Sequence, residues 1–300
     1  MTRLREIAAP FVAALPAGTR VRTRLCVSLQ DAEVLAAAGR HLGSLAGRDL
    51  AARCAEGRLD AKGRAASRAA RKRALTGESS SRWAGAITRA SEDGYQLAFR
   101  NLAAERGTLR ARVRKIEARL TARAGEKAGR VAGYATPAER HAKALRLKAL
   151  KGRLARVGRR IGAGAVPVTR GGRRLMRARL CLEDAGLTEA RWRQRWDAAR
   201  LFLTVDGEKG KARGNETIGW HPGEGWLEVK LPAPLAHLAN RPHGRYRLSC
   251  EVRFGYRGGE VAAQAASGAV RYDICAPRGA LWVLPAQRAR IGGGVRGSNG

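Results

Sequence analysis

The sequence predicts an α+β protein in which one sheet or barrel is interrupted by a long helical insertion. Three observations support this fold class. Residues 21–29 alternate with a period of two, as in a β-strand, and further alternating stretches occur after residue 204. Between them, apolar residues recur every three or four positions, as in amphipathic helices. The early strand needs partners, and the later strands are the ones available.

The first predicted strand, residues 21–29, is half-buried and has a basic outer face that includes Arg22 and Arg24. Ser28 precedes Asp31 by three residues, which is the spacing of a capping box. A helix is therefore expected to begin at this point.

The helical block starts with an Ala- and Arg-rich segment, residues 60–92, that has few large apolar residues. Its helices are expected to be weakly anchored, or to be held by a partner such as RNA. Arg82 and Trp83 are candidate nucleic-acid contacts, with the indole as a stacking platform for a base. The alternative for Trp83 is a core position on the helix that comes next.

Two amphipathic helices are predicted next, and their apolar stripes favour packing as an antiparallel hairpin. The first, residues 97–123, has a heptad-like stripe of leucine, valine and isoleucine. The second begins after a capping box formed by Thr136 and Glu139, with a proline at the first helical position, and continues to Ile161.

Basic side chains surround both stripes. The segment from Lys143 to Arg160 contains no acidic residue, whereas solvated helix faces normally interleave both signs. Phosphate groups would relieve the repulsion within such a surface. The nucleic-acid contacts predicted on the two helices are Arg112, Arg119, Lys148 and Arg156.

A further helix is expected within residues 187–203, with Trp192, Trp196, Ala199 and Phe202 packed inward. Two tryptophans four residues apart more often belong to a core than to a ligand site.

A β-module is predicted at residues 204–274. It contains a hairpin that turns at His221 to Gly225, an alternating strand at residues 244–256 and a last strand that ends at Ile274. The outward-facing basic residues of the alternating strand are further candidate nucleic-acid contacts: Arg245, Arg247 and Arg253.

Charge indicates the class of partner. The chain has 59 Lys and Arg against 25 Asp and Glu, a formal net charge of +34. Residues 48–200 hold 39 of the basic and 14 of the acidic residues. This excess predicts a polyanionic partner such as nucleic acid. A coding bias toward arginine explains part of the basic count but not the low acidic count.

The remaining composition indicates a cytoplasmic protein. Five scattered cysteines without a CxxC pair fit a reducing interior, and no metal site is predicted. The first residues resemble a signal peptide only faintly, because Pro10 breaks the apolar run. No stretch approaches the length of a membrane span. No cofactor and no membrane partner are expected.

Motifs for catalysis are missing from the sequence. It contains neither a P-loop nor a GxSxG motif, and the GxGxxG match at residues 292–297 is treated as accidental because no helix comes after it. No catalytic residue is assigned.

Four longer stretches resemble the transposon-encoded RNA-guided nucleases of the TnpB family, which are often called transposases. They cover most of residues 20–274 and read AAAGRHLGSLAGRDLAARC, ESSSRWAGAITRA, RLFLTVDGEKGKARGNETIGWHPGEGWLEVKLPAPLAHLAN and GRYRLSCEVRFGYRGGEVAAQAASGAVRYDI. The resemblance implies a wedge-type, oligonucleotide-binding-like β-barrel, interrupted by a helical recognition lobe, that binds guide RNA and target DNA. It also implies a RuvC-like nuclease domain with acidic Mg²⁺ ligands and a zinc-binding insert, and no residue of this chain matches either.

The expected domains are the first barrel strand at residues 1–35, the recognition lobe at 36–203, the rest of the barrel at 204–274 and a disordered or frameshifted tail at 275–300. The chain would then be the nucleic-acid-binding part of such an endonuclease, truncated before the catalytic domain and inactive alone. Mg²⁺ would matter only with a nuclease domain supplied in trans. The alternatives are a general basic RNA- or DNA-binding scaffold and a non-functional remnant.

Overall fold

The computed structural model describes residues 21–208, 215–268, 270–275 and 282–287. The chain forms two compact units. Of the described residues, the β unit comprises those up to Ala38, those within Phe202–Leu231 and those from Leu235 onward. The helical unit comprises Gly39–Leu201 and Pro232–Pro234.

Strands from distant parts of the sequence form two antiparallel sheets in the β unit, so the protein is of mixed α+β class. In spatial order, the four-stranded sheet contains β1 (Thr23–Arg24), β9 (Trp282–Gln287), β8 (Val270–Cys275) and β4 (Thr204–Asp206). The three-stranded sheet contains β5 (Ile218–His221), β6 (Trp226–Lys230) and β7 (Arg245–Arg247). Helix α7 (Gly258–Ala266) precedes β8. Within the described residues neither sheet closes into a barrel.

The split sheet predicted from the sequence is confirmed, because β1 lies in one sheet with β4 and β8. Its direct neighbour is β9, which pairs with β1 on one side and with β8 along six residue pairs on the other. The segment expected at 275–300 to be a disordered or frameshifted tail contains strand β9 at Trp282–Gln287. This short apolar run favours a strand locally. The sequence around it is rich in Ala, Arg and Gly and has no strand pattern, so no strand was predicted. Residues 276–281 and 288–300 lie outside the described part of the chain.

Two strands are shorter than predicted. β1 covers two residues of the predicted strand at 21–29, because the capping box of Ser28 and Asp31 already starts helix α1 (Leu29–Ala55). β7 covers three residues of the predicted strand at 244–256. Beyond β7, buried and exposed side chains still alternate as far as Phe254. The alternating sequence there indicates which side chains are buried, although the segment is not part of a β-strand.

Asp31 connects the start of α1 to β7 and to the segment after it. Its carboxylate accepts hydrogen bonds from the Tyr246 hydroxyl at 2.9 Å and from the Ser249 backbone amide at 3.1 Å. Burial by itself raises the pKa of Asp31, but the hydrogen bonds from Ser249, Tyr246 and Ser28 outweigh it, so that the pKa lies below its ordinary value. Burial and the bond to Asp31 together raise the pKa of Tyr246 to about 12.

The helical unit is built around the predicted hairpin, which is confirmed. Its helices after α1 are α2 (Ala61–Thr76), α3 (Ser81–Leu120), α4 (Pro137–Gly162), α5 (Arg173–Ala178) and α6 (Glu189–Arg200). The Thr136 hydroxyl caps α4 by accepting from the Glu139 amide at 3.1 Å, as the sequence indicated. Between α3 and α4 lies a short hairpin of β2 (Lys127–Ala128) and β3 (Val131–Ala132).

Helices α3 and α4 pack antiparallel around a small apolar core. Leu102 and Leu109 of α3 form a buried cluster with Val157 and Ile161 of α4. Closer to the connecting loop, the Arg140 guanidinium of α4 donates to the carbonyl at the end of α3 at 2.9 Å. The apolar stripes that predicted the hairpin thus form its interface.

Buried ion pairs connect helices α1, α2 and α3. Arg71, one of the two buried residues of α2, donates to both carboxylate oxygens of Asp49 on α1, at 2.8 and 2.7 Å. The fully buried Arg53 of α1 donates to the Glu92 carboxylate of α3. The sequence predicted weak apolar anchoring in this region and suggested RNA as a support. In the structure, carboxylates of the protein itself provide this support.

In the described part of the chain, no helix combines the length and the apolarity needed to cross a membrane. Cys26, Cys54, Cys181 and Cys250 form no disulfide, and Cys26 and Cys181 are exposed at the surface.

Candidate nucleic-acid interface

A basic cleft lies between helices α3 and α4, at the end of the hairpin next to the connecting loop. Its volume is about 350 Å³. Five cationic side chains and one tyrosine contribute to its lining: Arg112, Lys115, Arg119, Lys143, Arg146 and Tyr134. We call this feature the hairpin cleft.

Helical periodicity aligns the cations of the cleft. Arg112, Lys115 and Arg119 are three and four residues apart on α3, so they lie on one face of that helix. Lys143 and Arg146 are three residues apart on α4 and share a face for the same reason. Antiparallel packing brings the end of α3 beside the start of α4, and the two basic rows line the same space.

Arg119 is held in place before any ligand arrives. Its guanidinium donates to the carbonyl of Ala132 at 3.2 Å and to that of Gly133 at 3.0 Å. The same group lies 4.1 Å from the ring centre of Tyr134, which is 2% exposed. Because its position is already fixed, Arg119 loses little conformational entropy on binding an anion.

Few carboxylates compensate the cations of the cleft. The ammonium of Lys143 lies 3.9 Å from the Glu139 carboxylate. Arg112, Lys115 and Arg146 have no ion pair within the residues that the structure describes. Since like charges three or four residues apart on a helix repel one another, an added anion would stabilise this surface. The cleft is thus chemically suited to phosphate groups.

Two of the predicted contacts on the helices meet in the hairpin cleft, namely Arg112 and Arg119. Lys148 and Arg156 are located on α4 but do not line the cleft. Arg82 is exposed in the first turn of α3. The structure therefore gathers only part of the predicted helical set in one place.

Trp83 belongs to the core of the helical unit. It has no exposed surface and is among the largest fully buried side chains of the described residues. A base cannot reach its ring in this structure, so the stacking interpretation does not fit and the core alternative does. The apolar positions Ile87 and Ala84 beside it on α3 are also fully buried, which explains why this face turns inward.

In the β unit, Arg22 and Arg24 are exposed on either side of Thr23. They keep the basic outer face predicted for the first strand. Arg253 is also exposed, and its guanidinium forms an ion pair with Glu251. A solvated pair of this kind is weak, so it leaves Arg253 able to exchange partners.

The other two predicted contacts of the β unit are engaged by the protein itself. The Arg245 guanidinium lies 3.3 Å from the carboxylate of Glu228, and both side chains are largely buried. The Arg247 guanidinium lies 3.7 Å from the ring centre of Trp226. Neither arginine is as available to phosphate as the sequence pattern suggested.

Sequence reasoning missed four members of the hairpin cleft: Lys115, Lys143, Arg146 and Tyr134. A signal existed for Lys115, because it lies three residues after Arg112 and four before Arg119. Tyr134 lies in the loop between the helices, where no periodic pattern could indicate that its ring would pack under an arginine.

No cluster of three or more His, Cys, Asp or Glu side chains able to hold a metal ion occurs among the described residues. Comparison of the chain with protein-family models, with curated proteins and with solved structures gives no match to any of them.

Proposed function

We propose that this chain binds RNA and that the hairpin cleft holds the sugar-phosphate backbone. The observation that carries the proposal is the convergence of five cationic side chains on one cleft, of which only Lys143 has an ion pair in the described residues. Contacts from lysine and arginine to phosphate do not read the base, so the cleft would supply affinity and position, with little sequence specificity.

The proposed role is that of the nucleic-acid-binding part of a transposon-associated, RNA-guided DNA endonuclease. The resemblance to the TnpB family supports this role. So does the order of elements, because a helical block separates strands of one sheet. In this proposal the two sheets belong to a wedge-type, oligonucleotide-binding-like barrel. Guide RNA is the first partner, target DNA pairs with it, and the chain alone does not cleave.

The experiment that tests the role is purification of the chain from its native host at moderate salt, followed by sequencing of the RNA that remains bound. One abundant RNA encoded beside the gene is the expected result. Heterogeneous RNA would instead favour a general basic scaffold. Protein that carries no RNA would overturn the proposal.

The cleft itself is tested by removing two of its charges. The double variant Arg112→Gln/Arg146→Gln should weaken RNA binding, because two phosphate contacts are lost. The slope of log affinity against log salt concentration should decrease in magnitude by about 2. Fluorescence anisotropy at several salt concentrations measures both quantities.

The matched control is Lys62→Gln/Arg68→Gln, which removes the same charge from α2, outside the cleft. Its salt slope should stay close to that of the unmodified chain. Equal losses in the two double variants would mean that overall charge, and not the hairpin cleft, determines binding.

A further inference from the structure

The segment from Arg170 to Arg200, which contains α5 and α6, differs from the rest of the helical unit. Neither helix contributes a buried residue. The sequence predicted that Trp192, Trp196 and Phe202 would pack inward, yet only Phe202 is buried, and both tryptophans stay partly exposed. Both tryptophans are half-buried, which leaves part of each residue accessible to a ligand.

The two tryptophans form one aromatic surface. The rings of Trp192 and Trp196 are stacked, with their centres 5.7 Å apart and their planes inclined by 14°. Their spacing of four residues places them on one face of α6. Both residues keep part of their surface exposed to solvent, so the pair can be reached from outside.

Contacts within the segment fix both rings. The Trp192 indole N–H donates to the carbonyl of Leu175 on α5 at 2.8 Å. Trp196 lies against the backbone of Gly171, where an added Cβ would be 3.1 Å from the ring. The Arg200 guanidinium lies 5.3 Å from the centre of Trp196. The aromatic surface is therefore preorganised, which lowers the entropy lost when a ligand stacks on it.

The surroundings of the tryptophan pair are strongly basic. Residues 170–200 contain nine arginines and four acidic residues. Of the acidic ones, Glu189 is already paired with Arg193 at 2.7 Å. The basic set is Arg170, Arg173, Arg174, Arg177, Arg179, Arg191, Arg193, Arg195 and Arg200.

Arg170, at the start of this segment, is hydrogen-bonded to the end of α6. Its guanidinium donates to the carbonyl of Arg200 at 2.9 Å and to that of Leu201 at 2.8 Å. Burial and the charge of Arg200 lower its pKa to about 10, so it remains protonated at neutral pH.

We propose that the Trp192–Trp196 pair is a stacking platform for unpaired bases of a single-stranded nucleic acid, with the surrounding arginines contacting its phosphates. Aromatic rings within a basic surface are how proteins bind single strands without sequence preference. Charge complementarity identifies the occupant: a polyanion with exposed aromatic faces satisfies both the arginines and the indoles. This site goes beyond the proposed function, because the hairpin cleft binds backbone whether or not the bases are paired.

The experiment compares two labelled RNAs, a single strand of about 12 uridines and a duplex of the same length, a size within the usual range for such surfaces. Binding is followed by anisotropy and by quenching of tryptophan fluorescence. The double variant Trp192→Leu/Trp196→Leu should weaken single-strand binding by about tenfold or more and leave duplex binding nearly unchanged. Trp196→Phe, which keeps an aromatic face, should retain most of the affinity.

Two controls separate stacking from loss of structure. Because neither tryptophan is fully buried, the leucine variant should keep the helix content of the unmodified chain by circular dichroism. Leu180→Ser removes another exposed apolar side chain of the same segment, 80% exposed, and should leave the binding of both RNAs unchanged.

The glycines before α5 offer a matched pair. Gly171 and Gly172 both have positive φ, +87° and +92°, so alanine is strained at either position. Only at residue 171 would the new Cβ contact Trp196. Gly171→Ala should therefore weaken single-strand binding more than Gly172→Ala does, and equal effects would count against a preorganised ring.

The outcomes also distinguish this site from the hairpin cleft. If the leucine variant binds the single strand as well as the unmodified chain does, the stacking platform is overturned and the cleft is not. If the leucine variant loses single strands while Arg112→Gln/Arg146→Gln has no effect on the duplex, the platform holds and the cleft fails. If the unmodified chain binds neither RNA, both proposals are overturned.

Discussion

Arginines of the helical unit occupy two contrasting environments. Arg53 and Arg71 are buried where α1, α2 and α3 meet, and each contacts carboxylates, chiefly Glu92 and Asp49. Arg112 and Arg146 line the hairpin cleft and have no ion pair among the described residues. Acidic residues are scarce in this chain, and the buried arginines take several of them. Paired arginines therefore stabilise the fold, and uncompensated ones remain for a ligand.

The largest effect on stability is expected from breaking the ion pairs of the buried arginines. Glu92→Gln would leave Arg53, which is fully buried, with an uncompensated charge. We expect a loss of about 3 kcal/mol in the free energy of unfolding, measured by urea denaturation. The matched control is Glu105→Gln, which breaks an exposed pair with Arg153 and should cost less than about 1 kcal/mol. Similar losses would remove the distinction between the two environments.

The second-largest effect is expected from acid, which should weaken the ion pairs of the buried arginines. Burial tends to raise the pKa of Glu92, but the hydrogen bonds from Arg53 and Gln96 and the charges of Arg53 and Arg71 lower it below its ordinary value of 4.5. A lowered folded-state pKa gives stability that is fully present above the unfolded value and is lost as pH falls through the folded value. Asp31 contributes in the same direction.

Thermal denaturation between neutral pH and acid measures this effect. The melting temperature should be nearly constant above the ordinary pKa of a glutamate and should decrease below it. Glu92→Gln should have a lower melting temperature at neutral pH and a shallower decrease in acid. An unchanged slope would show that Glu92 does not contribute to the acid sensitivity.

The smallest effect on stability is expected in the hairpin cleft. Arg146→Gln removes a cation that has like-charged neighbours and no ion pair in the described residues. The free energy of unfolding should change by no more than about 0.5 kcal/mol, and in the stabilising direction if repulsion dominates. Urea denaturation of this variant beside Glu92→Gln compares the two environments directly.

Local sequence patterns predicted much of the helical structure. The capping boxes at Ser28 and Thr136 start helices where expected, and the apolar stripes of α3 and α4 form the hairpin interface. Each pattern acts over three or four residues, so it can be read without knowing the rest of the fold. The wedge-type barrel and the guide RNA stay predictions, because strand closure and ligand identity cannot be deduced from local spacing.

The tryptophans show where local patterns fail. Trp83 was a candidate for stacking and is buried, whereas Trp192 and Trp196 were expected in the core and are partly exposed. An amphipathic helix reveals which residues share a face, but not whether another element covers that face. The first turns of α3 bury Trp83, Ala84 and Ile87 completely, while α6 has no buried residue.

The sequence by itself determined the positive charge and the helical hairpin with its caps, since these depend on composition and on neighbours within a turn. Only the tertiary structure decided which arginines are neutralised. In sequence Arg71 resembles Arg112, but Asp49, which lies 22 residues away, pairs with Arg71. Pairing and burial depend on residues that folding brings together, and this long-range arrangement leaves four of the five cations of the hairpin cleft without an ion pair in the described residues.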